Sequence, residues 1–236
     1  MQVGLVTGTR KVDLVEMPSP RPTTGKAVVD ITYCGICGTD VHAYLSGSPY
    51  NPAICGHEWT GLVSAVGKSV TNVKEGDRVA RPTADAPANA VSQCSASPRR
   101  QVSRLLERAA PDISRTDQRH AGVQGADVVF ECAGIPATIQ HAVNYVRRGG
   151  VVSLVGVPSL PTQIDASTWL VKEVRLSTSL AYLHEEFEIA KSLVADGRVR
   201  CAPLHTSTVP LRGLADAFAK LADHPGEVKI LVDPRL

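Results

Sequence analysis

From residue 126 onward, apolar runs alternate with amphipathic segments, and that alternation admits few folds. "ADVVFECAG" reads as a buried strand ending in a glycine turn. Pro136 then opens a helix with Ile139, Ala142, Val143 and Val146 on one face, and Gly149 and Gly150 are expected to end it. "GVVSLVGVP" is the next strand and "VRLSTSLAY" another. A helix carrying Phe187, Ala190, Leu193 and Val194 follows, closed at Gly197. A last helix presents Leu214, Ala217, Phe218 and Leu221, and a break at "DHPG" leads to a final strand, "EVKILV". Strands joined through helices run parallel, because a parallel pair needs a long crossover. Near-continuous apolar strands predict a sheet covered on both faces.

The first eighty residues follow a different rule. "QVGLVT", "VDLVEM", "KAVVDITY", "GLVSAVG" and "DRVA" are short, valine-rich and in part alternating, with breakers at Pro18, Pro20, Pro22, Gly25, Gly67 and Gly76. They predict a small, mostly antiparallel β unit whose loops carry function. Residues 81–120 match neither half. They are rich in Ala, Arg, Ser and Pro. One amphipathic helix is expected there, capped by Ser97, with Val102, Leu105, Leu106 and Ala109 inward. Arg99, Arg100, Arg104 and Arg108 fall on its solvated side.

Composition narrows the partners. With 236 residues, a net charge of +2 and 4% aromatics, the chain has neither the basic surface nor the stacking platform of a nucleic-acid binder. The N-terminus lacks the pattern of a signal peptide, and no run approaches the ~20 apolar residues of a membrane span. The expectation is a cytoplasmic protein with no nucleic-acid and no membrane partner. Six irregularly spaced cysteines do not form a secreted disulfide framework, so reduced thiols, some of them metal ligands, are expected.

The chemistry-bearing residues concentrate in "YCGICGTDVHAY" and, twenty residues on, "CGHEWTG". A redox CxxC needs a helix starting at its first cysteine, whereas Gly35 and Gly38 around Cys37 predict a loop. A zinc ribbon needs a second CxxC, and there is none. Cys34, Cys55, Cys132 and Cys201 read as small core residues. Cys37 and His57 together supply the thiolate and imidazole that zinc prefers, and Glu58 adds a carboxylate. Asp40 suits an acceptor behind a ligating imidazole. Thr39 and His42 supply a hydroxyl and a base beside the metal. Tyr44 and Trp59 suit either a pocket wall or the core.

These motifs, with "GLVSAVGKSV", "VKEGDRVA", "RRGGVVSLVGVP" and "GEVKILVDP", resemble the zinc-dependent medium-chain dehydrogenases, the alcohol, sorbitol and butanediol dehydrogenase superfamily. The resemblance covers residues 1 to about 80 and about 121 to 236. It implies an α/β chain: a GroES-like β-barrel domain over 1–80 with a C-terminal return at about 200–236, an atypical linker over 81–120, and the C-terminal half of a Rossmann domain, an incomplete parallel sheet with helices, over 121–199. It implies zinc held by Cys37, His57 and Glu58, and Thr39 taking a substrate proton that His42 relays to solvent. Asp40 then orients the ligating histidine. Cys132, Ala133 and Gly134, with Val155, Gly156 and Val157, are implied beside bound NAD or NADP. The implied substrate is a small-molecule alcohol or carbonyl compound, and a homo-oligomer is compatible.

The chain departs from this pattern in its middle. Two full domains need about 300 residues at ~150 each. No G-x-G-x-x-G occurs, so the glycine turn that takes a pyrophosphate is absent from the sequence. The four-cysteine lobe is reduced to Cys94, and Glu58, Asp85 or Cys94 are the candidates for a third ligand. "DVVFE" is expected to leave an apolar edge unless the chain dimerises or residues 81–120 cover it. An internally deleted, partly out-of-frame gene product accounts for this pattern. The competing functional reading is a non-catalytic zinc-binding remnant, or a dimerisation partner of an intact paralogue.

Overall fold

In a computed structural model, the described residues are 1–48, 56–81, 92–93, 125–158, 160–224 and 226–236. The helix expected over residues 97–109 lies outside them, as do Cys55, Asp85 and Cys94. The chain divides into two compact units, Met1–Ser103 with Leu183–Leu236, and Arg104–Tyr182.

The first unit opens with an antiparallel pair, β1 (Gln2–Gly8) and β2 (Lys11–Glu16). A larger sheet contains β3 (Ala27–Gly35), β4 (Glu58–Val66), β5 (Arg78–Ala80) and β6 (Ser92–Gln93), paired antiparallel in sequence order. Two strands from the chain's end complete it: β10 (His205–Pro210) and β11 (Lys229–Asp233). The order is β10-β11-β3-β4-β5-β6, with only β10 and β11 parallel. All five strands expected before residue 81 form. β10 was not anticipated.

Helix α1 (Gly38–Ser46) corrects the expected loop around Cys37. Cys37 caps the helix, and its N–H donates to Asp40 at the third helical position, 3.0 Å away. That reciprocal arrangement satisfies a backbone donor that a helix start otherwise leaves open. Residues 214–223 form the last helix of the chain and supply Leu214, Ala217 and Phe218 to the core. They pack with Val6, Ile36, Tyr44, Ile230 and Val232. Phe218 is fully buried with its ring centroid 5.2 Å from that of Tyr44. Burial of one such side chain contributes about 1.5–3 kcal/mol. Trp59 packs against a second cluster of Val63, Val73 and Val79. Tyr44 is therefore a core residue, and Trp59 is half-buried at the margin of its cluster.

The second unit holds the parallel strands β7 (Ala126–Glu131), β8 (Val146–Leu154) and β9 (Arg175–Thr178), in that order. α2 (Pro136–Tyr145) crosses from β7 to β8, and α3 (Ala166–Val171) from β8 to β9. α2 ends earlier than expected. Val146 is already extended, so Gly149 and Gly150 lie inside β8. Val146 still joins Ala142, Val143 and Val152 in the core, with Trp169 packed against them. The expectation of two covered faces fails among the described residues. Phe130 is 69% exposed, and Val128 and Leu176 are also open to solvent. The alternation of β7 explains it: Val129 faces the α2 side, while Val128 and Phe130 point away from it.

In the first unit, α4 (His184–Ala195) and α5 (Leu214–Asp223) form on the expected apolar positions, but no residue of α4 is fully buried. No helix among the described residues is long and apolar enough to cross a membrane.

Candidate metal centre and adjoining turns

Strand pairing brings the two loops together. Gly35 at the end of β3 lies opposite Glu58 at the start of β4, and Cys34 lies opposite Trp59. Cys37, two residues past β3, therefore meets His57, one residue before β4. One donor atom each from Cys37, His57 and Glu58 lies within 4.8 Å of the others, and all three residues are half-buried. Gly35 makes room for the acid, because a Cβ there would stand 2.6 Å from Glu58 Oε2. Sulfur, ring nitrogen and carboxylate oxygen form a donor set that suits zinc, and three protein donors is the usual number at a catalytic zinc. The set therefore fits the ion by chemistry and by spacing.

Asp40 stands behind this set and is only 3% exposed. Its carboxylate accepts from the Cys37 N–H at 3.0 Å and from the Gly56 N–H at 3.4 Å, and lies 3.5 Å from His57 Nδ1. Nδ1 facing the acid leaves Nε2 as the outward donor of the ring. Thr39 and His42 are exposed on the first turns of α1, three residues apart and so on one side of the helix. Cys37 Sγ lies 3.6 Å from Thr39 Oγ1.

Sequence reasoning missed Lys229. Its Nζ donates to Glu58 Oε2 at 2.8 Å and to the Ile36 carbonyl at 3.0 Å. A lysine in the otherwise apolar "VKILV" was the available signal.

The turns named as cofactor contacts also meet. Gly134 follows β7 with φ of +66°, and a Cβ on Gly156 would fall 2.1 Å from Gly134 N. The amides of Val155 and Gly156 donate to the Glu131 carbonyl. Glu131, 4% exposed, accepts from Ala133 N at 2.9 Å, Gly134 N at 3.0 Å and Thr138 Oγ1 at 2.7 Å. An internal carboxylate thus occupies the amides of this turn. Cys132 and Val157 remain exposed at the carboxyl end of the strands, the side where open α/β sheets take ligands. Cys132 and Cys201 are therefore not core residues. Both lie just outside regular elements with their side chains exposed to solvent. Cys34 is half-buried.

An antiparallel sheet that carries a thiol–imidazole–carboxylate cluster, followed by parallel βαβ units, is the arrangement implied by the resemblance to zinc-dependent dehydrogenases. Comparison with known proteins agrees. The model of the alcohol dehydrogenase GroES-like domain matches residues 23–107, and that of the zinc-binding dehydrogenase matches residues 102–196. The chain belongs to the zinc-dependent medium-chain dehydrogenase superfamily. It is 22% identical to the 2-dehydro-3-deoxy-L-galactonate 5-dehydrogenase of Pseudoalteromonas atlantica, covering 96% of each chain. That alignment runs over 329 positions against 236 residues, so gaps take up the difference. It is 44% identical to an alcohol dehydrogenase of Moraxella sp. over 73 residues, 30% of this chain and 22% of that one. Several relatives are matched over only 22–32% of their length. An alcohol dehydrogenase of Escherichia coli CFT073 complexed with NADH has the same fold, with a TM-score of 0.77 at 18% identity over 99% of both chains.

Proposed function

We propose that the chain is a zinc-dependent alcohol or polyol dehydrogenase by design, acting between a secondary alcohol or diol and NAD(P). The observation that carries this reading is the meeting of Cys37, His57 and Glu58, with Asp40 buried behind the imidazole. Cys37, His57 and Glu58 would hold the ion. Zinc, when bound, supplies a Lewis acid for the substrate oxygen. Asp40 fixes the ring of His57 so that one nitrogen faces the other two donors. Thr39 Oγ1 takes the proton of the substrate hydroxyl, and His42, exposed one turn further on, passes it to water. Positioned groups of this kind contribute about 10²–10⁴ in rate. Cys132–Gly134 and Val155–Val157 form a paired backbone edge that suits the flat nicotinamide ring better than phosphate, since Glu131 holds the amides. Metal analysis of the purified chain, with NAD(P)H absorbance across secondary alcohols and diols, tests the reading. A chain that binds no zinc sinks it.

A second reading rests on a specific observation. The sequence contains no G-x-G-x-x-G, and the amides of Ala133 and Gly134 are held by Glu131. On this reading the chain binds zinc but turns over no alcohol, either as a remnant or as the dimerisation partner of an intact paralogue. Tight NAD binding in a calorimetric titration excludes it.

A further inference from the structure

The carboxylate that completes the donor set is already engaged. Glu58 Oε2 accepts from Lys229 Nζ at 2.8 Å, and the two side chains are 35% and 34% exposed, so the pair is partly withdrawn from water. The ammonium is also tied to the Ile36 carbonyl at 3.0 Å, one residue before Cys37. Its backbone is held in place as well. Leu231 and Val232 pair with Gly35 and Cys34, and Ile36 N donates to the Ile230 carbonyl. Lys229 therefore stands at the centre because of the fold, and not through a loose side-chain encounter.

We propose that Lys229 is a positioning residue and an internal competitor: it neutralises and anchors Glu58 when no ion is bound, and it weakens the hold of the centre on its metal. The inference rests on the reading of Cys37, His57 and Glu58 as ligands. The physical argument is a conflict between two cations for one anion. A divalent ion among these three donors shares Glu58 with an ammonium at hydrogen-bond distance. The two positive groups repel, and partial burial limits screening by solvent. In the metal-free protein the same ammonium is favourable, because it compensates a half-buried carboxylate and supplies a donor to a backbone carbonyl. A purely structural lysine predicts that its removal harms fold and metal binding together. A competitor predicts opposite signs.

The test is a competition titration of zinc against a chromophoric chelator, with thermal melting of the metal-free protein, for wild type, Lys229→Met and Lys229→Arg. Lys229→Met keeps the aliphatic stem and removes the charge. It is expected to bind zinc about tenfold more tightly, the factor that about 1.4 kcal/mol of relieved repulsion gives, while its metal-free form melts earlier. Lys229→Arg, with a fork that grips a carboxylate through two N–H groups, is expected to bind zinc no more tightly than wild type. Equal or weaker zinc binding by Lys229→Met overturns the inference. If Lys229→Met does not fold, tighter binding by Lys229→Arg overturns it. Absence of zinc binding by wild type removes the ligand reading itself, a different failure.

Discussion

Asp40→Asn is the sharpest probe of how the centre is built. The wild-type carboxylate serves three neighbours at once: the N–H groups of Cys37 and Gly56, and the imidazole of His57. The amide replacement has the same shape but one acceptor oxygen, and its NH₂ must face a donor. A charge-assisted hydrogen bond contributes about 1.5–3 kcal/mol net and a neutral one about 1 kcal/mol, so the exchange costs about 1 kcal/mol or more. Much of that falls on the orientation of His57, and loss of such a partner weakens metal binding by about 10–100-fold. The expected result is a zinc affinity at least about tenfold lower, or about 1.4 kcal/mol, in a competition titration. Asp40→Ala goes further. It leaves two part-buried N–H groups without the carboxylate acceptor, at about 1 kcal/mol each, and lowers the melting temperature of the metal-free chain by several degrees. If Asp40→Asn binds zinc within twofold of wild type, the buried acid does not orient His57, and the case for a built metal centre loses its main support.

Three further outcomes follow from other parts of the chain. Gly156→Ala drives a methyl group into Gly134 N and is expected to destabilise the second unit by about 1–3 kcal/mol. Urea unfolding followed by Trp169 fluorescence in a Trp59→Phe background reads this loss. Lys172 Nζ donates to the carbonyls of Val143, Asn144 and Val146 around the end of α2, so Lys172→Met is expected to cost that unit about 1 kcal/mol in the same assay. Asp165 caps α3, and hydrogen bonds from the Thr168 hydroxyl, then from the backbone N–H groups of Thr168 and Ser167, hold its carboxyl below the usual aspartate value. Its stabilising contribution is complete above the unfolded value, about 3.9, and is lost as pH falls through the lower folded value. An acid titration of Trp169 fluorescence should show this loss, and Asp165→Ala should flatten it.

The strands were legible because valine runs and glycine or proline breakers carry their own physics. The helices α2, α4 and α5 were legible because each shows apolar residues at i, i+3 and i+4. What escaped was decided by contacts distant in sequence or by caps. α1 was read as a loop from its glycines, yet Asp40 folds back on Cys37 and starts a helix there. α3 is six residues of mixed propensity, and it forms because Asp165 accepts from two of its N–H groups. β10 has no apolar run, and pairing with β11 makes it a strand. The donors of the candidate centre were all visible in two short motifs. Lys229 was not, because nothing local links it to Glu58, 171 residues away.

The functional question divides along the two units. Cys37, Asp40, Gly56, His57, Glu58 and Lys229 all belong to the first unit, which the strand from the chain's end closes against β3. Glu131, Gly134 and Gly156 all belong to the second. On the proposed reading, zinc content reports on one unit and dinucleotide binding on the other. A chain that holds one zinc per molecule but leaves NAD(P)H absorbance unchanged would place the failure in the parallel sheet, where the glycine fingerprint is missing from the sequence. The variants are expected to divide in the same way, since the two sets of residues share no named partner among the described residues. Asp40→Asn should weaken zinc and leave the Trp169 unfolding curve in place, and Gly156→Ala should do the reverse. If Gly156→Ala also strips the metal, the two units are not separable, and zinc binding by this chain becomes evidence about its cofactor site after all.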